Sequence, residues 1–139
     1  MKEHKTIVID ANNAVLGRLA SYVAKQSLLG NRVIVVNCNE AVITGRRTSI
    51  VEEYRESRAR GGSSQKGPNF PKESFRIVKR TVRGMLSYKQ GRGDEALNRV
   101  ICYNDVPKEY ESSKKTIAEI SAAEKRVKTI KLGELSRII

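Results

Sequence analysis

The stretch Lys5–Cys38, KTIVIDANNAVLGRLASYVAKQSLLGNRVIVVNC, predicts the core of the fold. It starts with a β-branched run, Lys5–Ala11, which has the composition of a buried strand. Apolar residues then recur at three- and four-residue spacing over 16–28, as in an amphipathic helix, and Gly30 follows as a stop signal. A second apolar run, Arg32–Cys38, does not alternate with polar residues, which predicts a strand buried on both faces. Strand, helix and strand with short connections form a right-handed βαβ unit and imply a parallel sheet.

The segments that follow add short elements to this unit. EAVITG predicts a third extended piece ending at Gly45, and RRTSIVEEYRESR predicts a helix whose Ser49 and Glu52 have capping-box spacing. DEALNRV predicts a short helix and VICY a strand. VKTIKL predicts a late strand and GELSRII a terminal amphipathic helix. We expect Asn12 or Asn13 to cap the first helix. The overall pattern is that of an α/β protein.

Length and composition predict one domain of the soluble, globular class. The chain has 139 residues, and we assign 1–139 to a single domain. No run reaches the roughly 18 consecutive apolar residues of a membrane span. The N-terminal stretch lacks the cleavage pattern of a signal peptide. Cys38 and Cys102 lie in apolar contexts without a metal-like spacing, so we expect two buried thiols in a reducing cytosol.

The positive charge is concentrated in one third of the sequence. Lys and Arg number 27 against 15 Asp and Glu, which gives a formal net charge of +12 and a pI of about 10.0. Residues 46–93, here called the basic insertion, carry thirteen of the basic residues and only four of the acids. A domain pI above about 9 is typical of a nucleic-acid binder. The distribution predicts a nearly neutral scaffold that carries one cationic binding segment.

Within the basic insertion, FRIVKRTVRGMLSYKQGRG (Phe75–Gly93) has two helical rhythms and no acid. We predict a helix from about residue 72 to residue 86. At about 100° per residue its apolar and cationic side chains fall on two neighbouring stripes. The apolar stripe comprises Phe75, Val78, Val82, Met85 and Leu86, and the cationic stripe Arg76, Lys79, Arg80 and Arg83. Like charges at this spacing repel by about 0.2–0.5 kcal/mol per pair in an isolated helix, so the row favours a polyanionic partner.

The flanks of this helix extend the predicted nucleic-acid-binding surface. The stretch before it, ARGGSSQKGPNFPKE, is rich in Gly, Pro and Ser and is typical of a functional loop. Arg predominates over Lys, which suits bidentate phosphate contacts and stacking on bases. A membrane-surface helix would instead expose large apolar residues beside its cations. The added cationic residues are Arg55, Arg58, Arg60, Lys66, Lys89 and Arg92, and the aromatics available for base stacking are Tyr54, Phe70 and Tyr88.

An enzymatic site is not indicated. The chain has one histidine, His4, and no cluster of acids, so we assign no catalytic residue and no metal. The first βα junction has one Gly where a dinucleotide fingerprint needs three, so we predict no cofactor and no small-molecule substrate. Asp10, at the end of the first strand, could be a metal or ribose ligand. A polar residue at such a position more often caps a helix or braces a turn.

Several of these motifs resemble one known family. VLGRLAS, RTVRGMLSYK followed by RG and AL, and the closing LGELSRII are similar to the large ribosomal subunit protein thirteen family in its archaeal and eukaryotic form. The resemblance implies a three-layer α/β/α fold around a four-stranded, mainly parallel sheet. It also implies RNA contacts by residues at matching motif positions, which are Arg46, Arg47, Arg80, Arg83, Lys89 and Arg92.

The sequence therefore predicts a non-enzymatic, structural constituent of the large ribosomal subunit. Its expected partners are large-subunit ribosomal RNA and neighbouring ribosomal proteins in the cytoplasm, with no membrane contact. Two alternatives remain at this point. One is an RNA-modifying enzyme with an α/β catalytic domain, and the other is a DNA-packaging protein.

Overall fold

The computed structural model describes residues 5–60, 70–111, 115–116 and 128–139. Predictions that concern the loop over 61–69, including Lys66, lie outside these residues. The helices are α1 (Leu16–Leu28), α2 (Arg47–Ala59), α3 (Ser74–Met85), α4 (Gly91–Asn98) and α5 (Leu132–Ile138). The strands are β1 (Thr6–Asp10), β2 (Arg32–Val36), β3 (Val42–Thr44), β4 (Val100–Cys102), β5 (Lys115–Thr116) and β6 (Thr129–Lys131).

The opening stretch forms the predicted strand, helix and strand. β1 and β2 pair in parallel, with Ile9 opposite Val35, and α1 connects them. β2 also pairs in parallel with β4, so three strands form a parallel sheet in the order β4, β2, β1. On the other side of β1, the two-residue β5 pairs in parallel with Val8 and Ile9. The prediction of an α/β fold with a parallel sheet is thus confirmed.

The third extended segment does not join this sheet. β3 pairs with β6 in an antiparallel ribbon, with Ile43 opposite Ile130. The predicted strands at VIT and near the end of the chain are confirmed, but their mutual pairing was not predicted. It brings α5, which follows β6 directly, against the rest of the fold.

The predicted helix caps are wrong. The N-cap position of α1 is Val15, and Asn13 instead adopts a left-handed conformation with φ of 59°. α2 begins at Arg47, which places Ser49 inside the helix and leaves the capping box unformed. Asp and Asn side chains can accept hydrogen bonds from backbone N–H groups in either a helix cap or a turn, so the two structures compete for them. The C-terminal stop is confirmed, since Gly30 has φ of 95°.

Asp10 braces the turn that replaces the predicted cap. Its Oδ1 accepts a hydrogen bond from the backbone N–H of Asn12 at 3.0 Å and another from Asn37 Nδ2 at 2.9 Å. The carboxylate therefore links the ends of β1 and β2. This supports the structural interpretation of Asp10 over the catalytic one.

Both faces of β2 are buried, as its lack of alternation predicts. Val33 and Val35 belong to the main core beneath α1 and α3, while Ile34 and Val36 form a second cluster on the other face. That second cluster, which includes Val8, is covered by partly buried side chains from Tyr103, Val106 and Tyr110. Fully burying an aliphatic side chain contributes about 1.5–3 kcal/mol, so the doubly covered strand anchors the fold.

α3 packs on α1 through its apolar face, as predicted, but the buried set differs in two places. Val78, Val82 and Leu86 are buried and Phe75 is partly buried, whereas Met85 remains 45% exposed. The helix ends at Met85, and the extended Leu86 takes the core position instead. Ile77, outside the predicted stripe, is buried. α3 also contacts α5, β4 and the turn after β2, so its buried face is wider than one stripe.

Among the described residues, no helix combines the length and hydropathy needed to cross a membrane.

Gly93 has a packing role that its neighbours in the sequence do not show. It is buried in the first turn of α4, where an added Cβ would collide with the backbone carbonyl of Ser87. This close approach lets the 87–90 turn pack against α4.

Replacing Gly93 by Ala should therefore lower stability, because the colliding atom is backbone and cannot rotate away. We expect a loss of about 1–3 kcal/mol, as for an overpacked core. Gly84→Ala is the matched control, since a Cβ there meets no atom within 4 Å. Because Gly84 lies in the last turn of α3, that change should stabilise by no more than about 0.5–1 kcal/mol. Thermal unfolding followed by circular dichroism measures both, and equal midpoints for the two variants would contradict the packing role.

The two cysteines are buried free thiols, as predicted. A hydrogen bond with the Cys102 thiol, together with burial, raises the pKa of Cys38 well above its ordinary value. The folded protein thus keeps a proton on Cys38 that the unfolded chain loses near pH 8.5. The free energy of unfolding should therefore fall as pH rises above that value.

Because the thiolate is the reactive form, Cys38 should resist alkylation in the native state. We expect iodoacetamide at pH 8.5 to modify neither thiol of the folded protein within the time that modifies both in urea. Mass spectrometry of the quenched samples gives the count. Equal modification rates in buffer and in urea would show that the thiols are open to solvent.

Candidate nucleic-acid interface

The cations of α3 lie beside its buried face, but they differ in exposure. Arg76 is exposed, whereas Lys79, Arg80 and Arg83 are half-buried. Lys79 Nζ donates a hydrogen bond to the Val100 carbonyl at 3.0 Å, so its ammonium group also fastens α3 to β4. A lysine can cover apolar surface with its stem while its charge stays near water. The predicted cationic stripe is therefore present, and it is partly built into the fold.

Three of the arginines stack on aromatic rings of the same segment. The guanidinium carbon of Arg80 lies 4.1 Å from the ring centroid of Phe70, and that of Arg83 lies 4.7 Å from the centroid of Tyr88. Arg76 lies 5.7 Å from the centroid of Phe75, and its Nε is 3.3 Å from Glu73 Oε2. Cation–π stacking holds each guanidinium in a fixed plane. Two of the aromatics predicted to stack on bases thus serve first as supports for arginines.

Two adjoining depressions flank α3. The α3–α4 groove, of about 280 Å³, is lined by Pro71, Arg76, Lys79, Arg80, Arg83 and Leu97. The α2–α3 cleft, of about 260 Å³, shares Pro71 and Arg80 with the groove, and its walls include Tyr54 and Phe70. The groove is lined mainly by cationic side chains, while the cleft combines aromatic and aliphatic side chains with polar ones. Burial, together with the nearby carboxylate of Glu53, raises the pKa of Tyr54 above its ordinary value.

The cations of α2 are engaged with the C-terminal helix. Arg47 forms an ion pair with Glu134. Arg55 and Arg58 donate to the backbone oxygens of Ile138 and Ile139, at 3.3 Å and 2.5 Å. These side chains remain exposed, so they can also meet an external anion. Their contacts within the chain orient α2 relative to α5.

The remaining predicted residues flank these elements. Arg60 Nη2 lies 3.7 Å from Glu56 Oε1, one helical turn away. Arg46, Lys89 and Arg92 are exposed, and within the described ranges their side chains make no hydrogen bond or ion pair. They are the residues whose charge is most available to a partner. The described part of the chain contains no group of three or more His, Cys, Asp or Glu residues that could hold a metal ion.

The apolar walls of the two depressions were not predicted from the sequence. Pro71 borders both, and Leu97 of α4 and Gly84 of α3 border one each. Gly84 gives a signal in the sequence, since a glycine within a helical pattern is unfavourable relative to alanine. The other two require knowledge of how the helices pack.

Comparison with known proteins identifies relatives over nearly the whole chain. The family model for ribosomal protein L13 matches residues 4–109. The large ribosomal subunit protein uL13 of Methanosarcina barkeri is 50% identical over 135 residues, which cover 94% of this chain and 94% of that protein. The proteins of the same name from Archaeoglobus fulgidus and Picrophilus torridus are 45% and 42% identical, over 95% and 96% of this chain and 86% and 96% of their own lengths. These matches, together with the α/β fold described above, show that the chain belongs to the ribosomal protein L13 family.

Proposed function

We propose that this protein is a structural, non-enzymatic constituent of the large ribosomal subunit that binds large-subunit ribosomal RNA through its basic insertion. The observation that carries the proposal is the arrangement of α3. Its buried face joins the core, and the neighbouring face presents Arg76, Arg80 and Arg83 along the α3–α4 groove. The name of the relatives, large ribosomal subunit protein, gives the assembly in which such a face would be used.

The mechanism is counterion replacement on a preorganised surface. Arginine and lysine side chains take the place of the cations that condense on RNA phosphates, and the released ions provide the driving force. The stacked guanidinium groups of Arg80 and Arg83 have already lost much of their rotational freedom, so less entropy is lost on binding. The exposed Arg46, Lys89 and Arg92 extend contacts beyond the groove.

The organisation of the rest of the protein follows from the same proposal. We infer one ribosomal-protein domain over 1–139, with the family's four-stranded, three-layer α/β/α arrangement. The pairing of β5 with β1 supports the fourth strand, and α1 and α3 over one face of the sheet supply one of the two helical layers. Neighbouring ribosomal proteins and the cytoplasmic ribosome are the proposed surroundings. We propose no cofactor and no small-molecule substrate.

The two alternative functions have weaker support. An RNA-modifying enzyme needs an acid, base or cofactor site, and the one strand-end acid considered for it, Asp10, is hydrogen-bonded within a turn. A DNA-packaging protein would use the same cations without a preference for RNA. Competition binding separates the latter, because the proposed function requires folded large-subunit RNA to outcompete duplex DNA of equal charge.

Affinity for folded large-subunit RNA should fall steeply with salt. If six to eight phosphates are neutralised, log K should decrease against log[salt] with a slope of roughly −4 to −7. Filter binding between about 50 and 300 mM KCl measures the slope. A slope near zero would contradict phosphate binding as the main source of affinity.

Charge reversal at the three exposed cations without described partners gives a sharper test. The triple variant Arg46→Glu, Lys89→Glu, Arg92→Glu should weaken RNA binding at least about 100-fold, because three phosphate contacts become repulsive. The fold should persist, since these side chains hold no contact within the described ranges.

A matched control makes the same change in net charge outside the basic insertion. It carries Lys5→Glu, Lys108→Glu and Arg137→Glu, at positions that are also exposed. It should lose affinity only through the change in overall charge, by no more than about tenfold. Equal losses for the two triple variants would show that the basic insertion is not the contact surface.

A further inference from the structure

The α2–α3 cleft has no role in the phosphate contacts proposed above. Its volume of about 260 Å³ lies just below the range of drug-sized ligand pockets, about 300–1,000 Å³, and suits one planar ring system. Tyr54, Phe70 and Ile77 provide apolar walls, and Arg80 and Glu53 stand among the residues that line it. Aromatic walls with a few polar groups are the usual surroundings of an unpaired base in RNA-binding proteins.

Gly84 leaves room for an occupant on one wall of the cleft. Gly84 is the last residue but one of α3 and lies on the wall of the cleft, at a place where alanine would be at least as compatible with a helix. A Cβ built there would meet no atom within 4 Å, so internal packing does not require the missing side chain. The open space on this wall lies within the same cleft as Tyr54 and Phe70.

The charges around the cleft favour a nucleotide over an apolar side chain of another protein. Arg80 borders both depressions, so a base in the cleft would place its backbone beside the cations of the α3–α4 groove. The Arg80 guanidinium, stacked at 4.1 Å on Phe70, is a planar platform of the kind that bases stack on. Glu53 forms no ion pair with any described residue, and its carboxylate can accept hydrogen bonds from N–H groups.

We propose that the α2–α3 cleft receives one unpaired RNA base that carries an exocyclic amino group, while the adjoining phosphates lie in the α3–α4 groove. The inference rests on the proposed function, since it assumes that RNA runs along α3. It adds that the contact includes a base and is not limited to the backbone. The base stacks against Tyr54, Phe70 and Arg80, and Glu53 accepts its amino group.

The test uses the full chain and two single-stranded RNA probes, each a run of four uridines around one central residue. In the first probe the central residue is 2-aminopurine, whose fluorescence falls when it stacks and which carries an exocyclic amino group. In the second it is abasic, so that only the backbone remains. Titration with the unaltered protein should quench the first probe in a saturable manner, and the abasic probe should bind more weakly.

Gly84→Leu should fill the cleft without disturbing the fold. We expect about tenfold weaker binding of the 2-aminopurine probe, in line with the loss of one base–aromatic stack, and less than about twofold change for the abasic probe. Gly17→Leu is the matched control, because Gly17 is an exposed helical glycine in α1 whose added Cβ also meets nothing within 4 Å. It should leave both titrations unchanged.

A second variant, Arg80→Lys, keeps the charge but removes the planar guanidinium. It should weaken binding of the 2-aminopurine probe about fivefold while the salt dependence for folded large-subunit RNA stays the same. This result does not depend on how well Gly84→Leu folds, which circular dichroism checks separately.

The outcomes separate the two levels of the proposal. If the protein binds folded large-subunit RNA with the expected salt slope, but Gly84→Leu and Gly17→Leu quench the probe equally, the base site is refuted and the proposed function stands. If the protein binds no RNA at low salt, the proposed function fails and the base site with it. If Gly84→Leu leaves every RNA titration unchanged yet is excluded from assembled large subunits, the occupant is an apolar side chain of a neighbouring protein and the base site is refuted.

Discussion

The packing of α3 against α1 is the constraint on which the surface depends. Burial of Val78 and Val82 fixes the rotation of the helix about its axis. Because side chains recur every 3.6 residues, this rotation also fixes where Arg76, Arg80 and Arg83 emerge. The same apolar contacts therefore stabilise the fold and set the direction of the charges. A helix packed only loosely at this place would carry the same net charge without presenting a defined row.

The cations of the basic insertion are not equivalent. Some of them also bind within the chain. Lys79 donates a hydrogen bond to the Val100 carbonyl, and Arg58 donates one to the backbone oxygen of Ile139. Others, such as Lys89, have no partner among the described residues. Exposed ion pairs contribute little to stability, a median of about 0–1 kcal/mol, so exchanging such a contact for a phosphate costs little. A count of charges along the sequence is therefore larger than the number of cations without a partner among the described residues. It also contains no information on how the fold orients them.

Local patterns in the sequence predicted the elements of the fold well. The apolar runs around Ile9 and Val35 and the 3.6-residue period of α1 depend on burial alone, and burial leaves a periodic record in the sequence. The predicted cap of α1 failed because the turn before the helix is braced by Asp10, whose partner Asn37 is 27 residues away. Such a competing contact has no local signature.

The site was predictable in part for the same reason. The cationic stripe of α3 follows from helical spacing, so it could be derived. The stacking of Arg80 on Phe70 and of Arg83 on Tyr88 depends on how the chain turns at each end of α3. The buried Ile77 depends on contacts of α3 with elements far along the chain. The cleft exists only because α2 and α3 lie side by side, and no spacing rule within either helix describes it.

The hydrogen bonds of Asp10 close the edge of the sheet where the parallel strands end. Open parallel sheets usually bind ligands in the crevice outside the carboxyl ends of their strands. Here Asp10 and Asn37 bridge the ends of β1 and β2, and the Cys38 N–H bonds to the Tyr103 carbonyl at 3.1 Å just after β4. The edge that an α/β enzyme would leave open for a substrate is tied together by the chain itself. The proposed RNA contact accordingly lies on the layer of helices and not on the rim of the sheet.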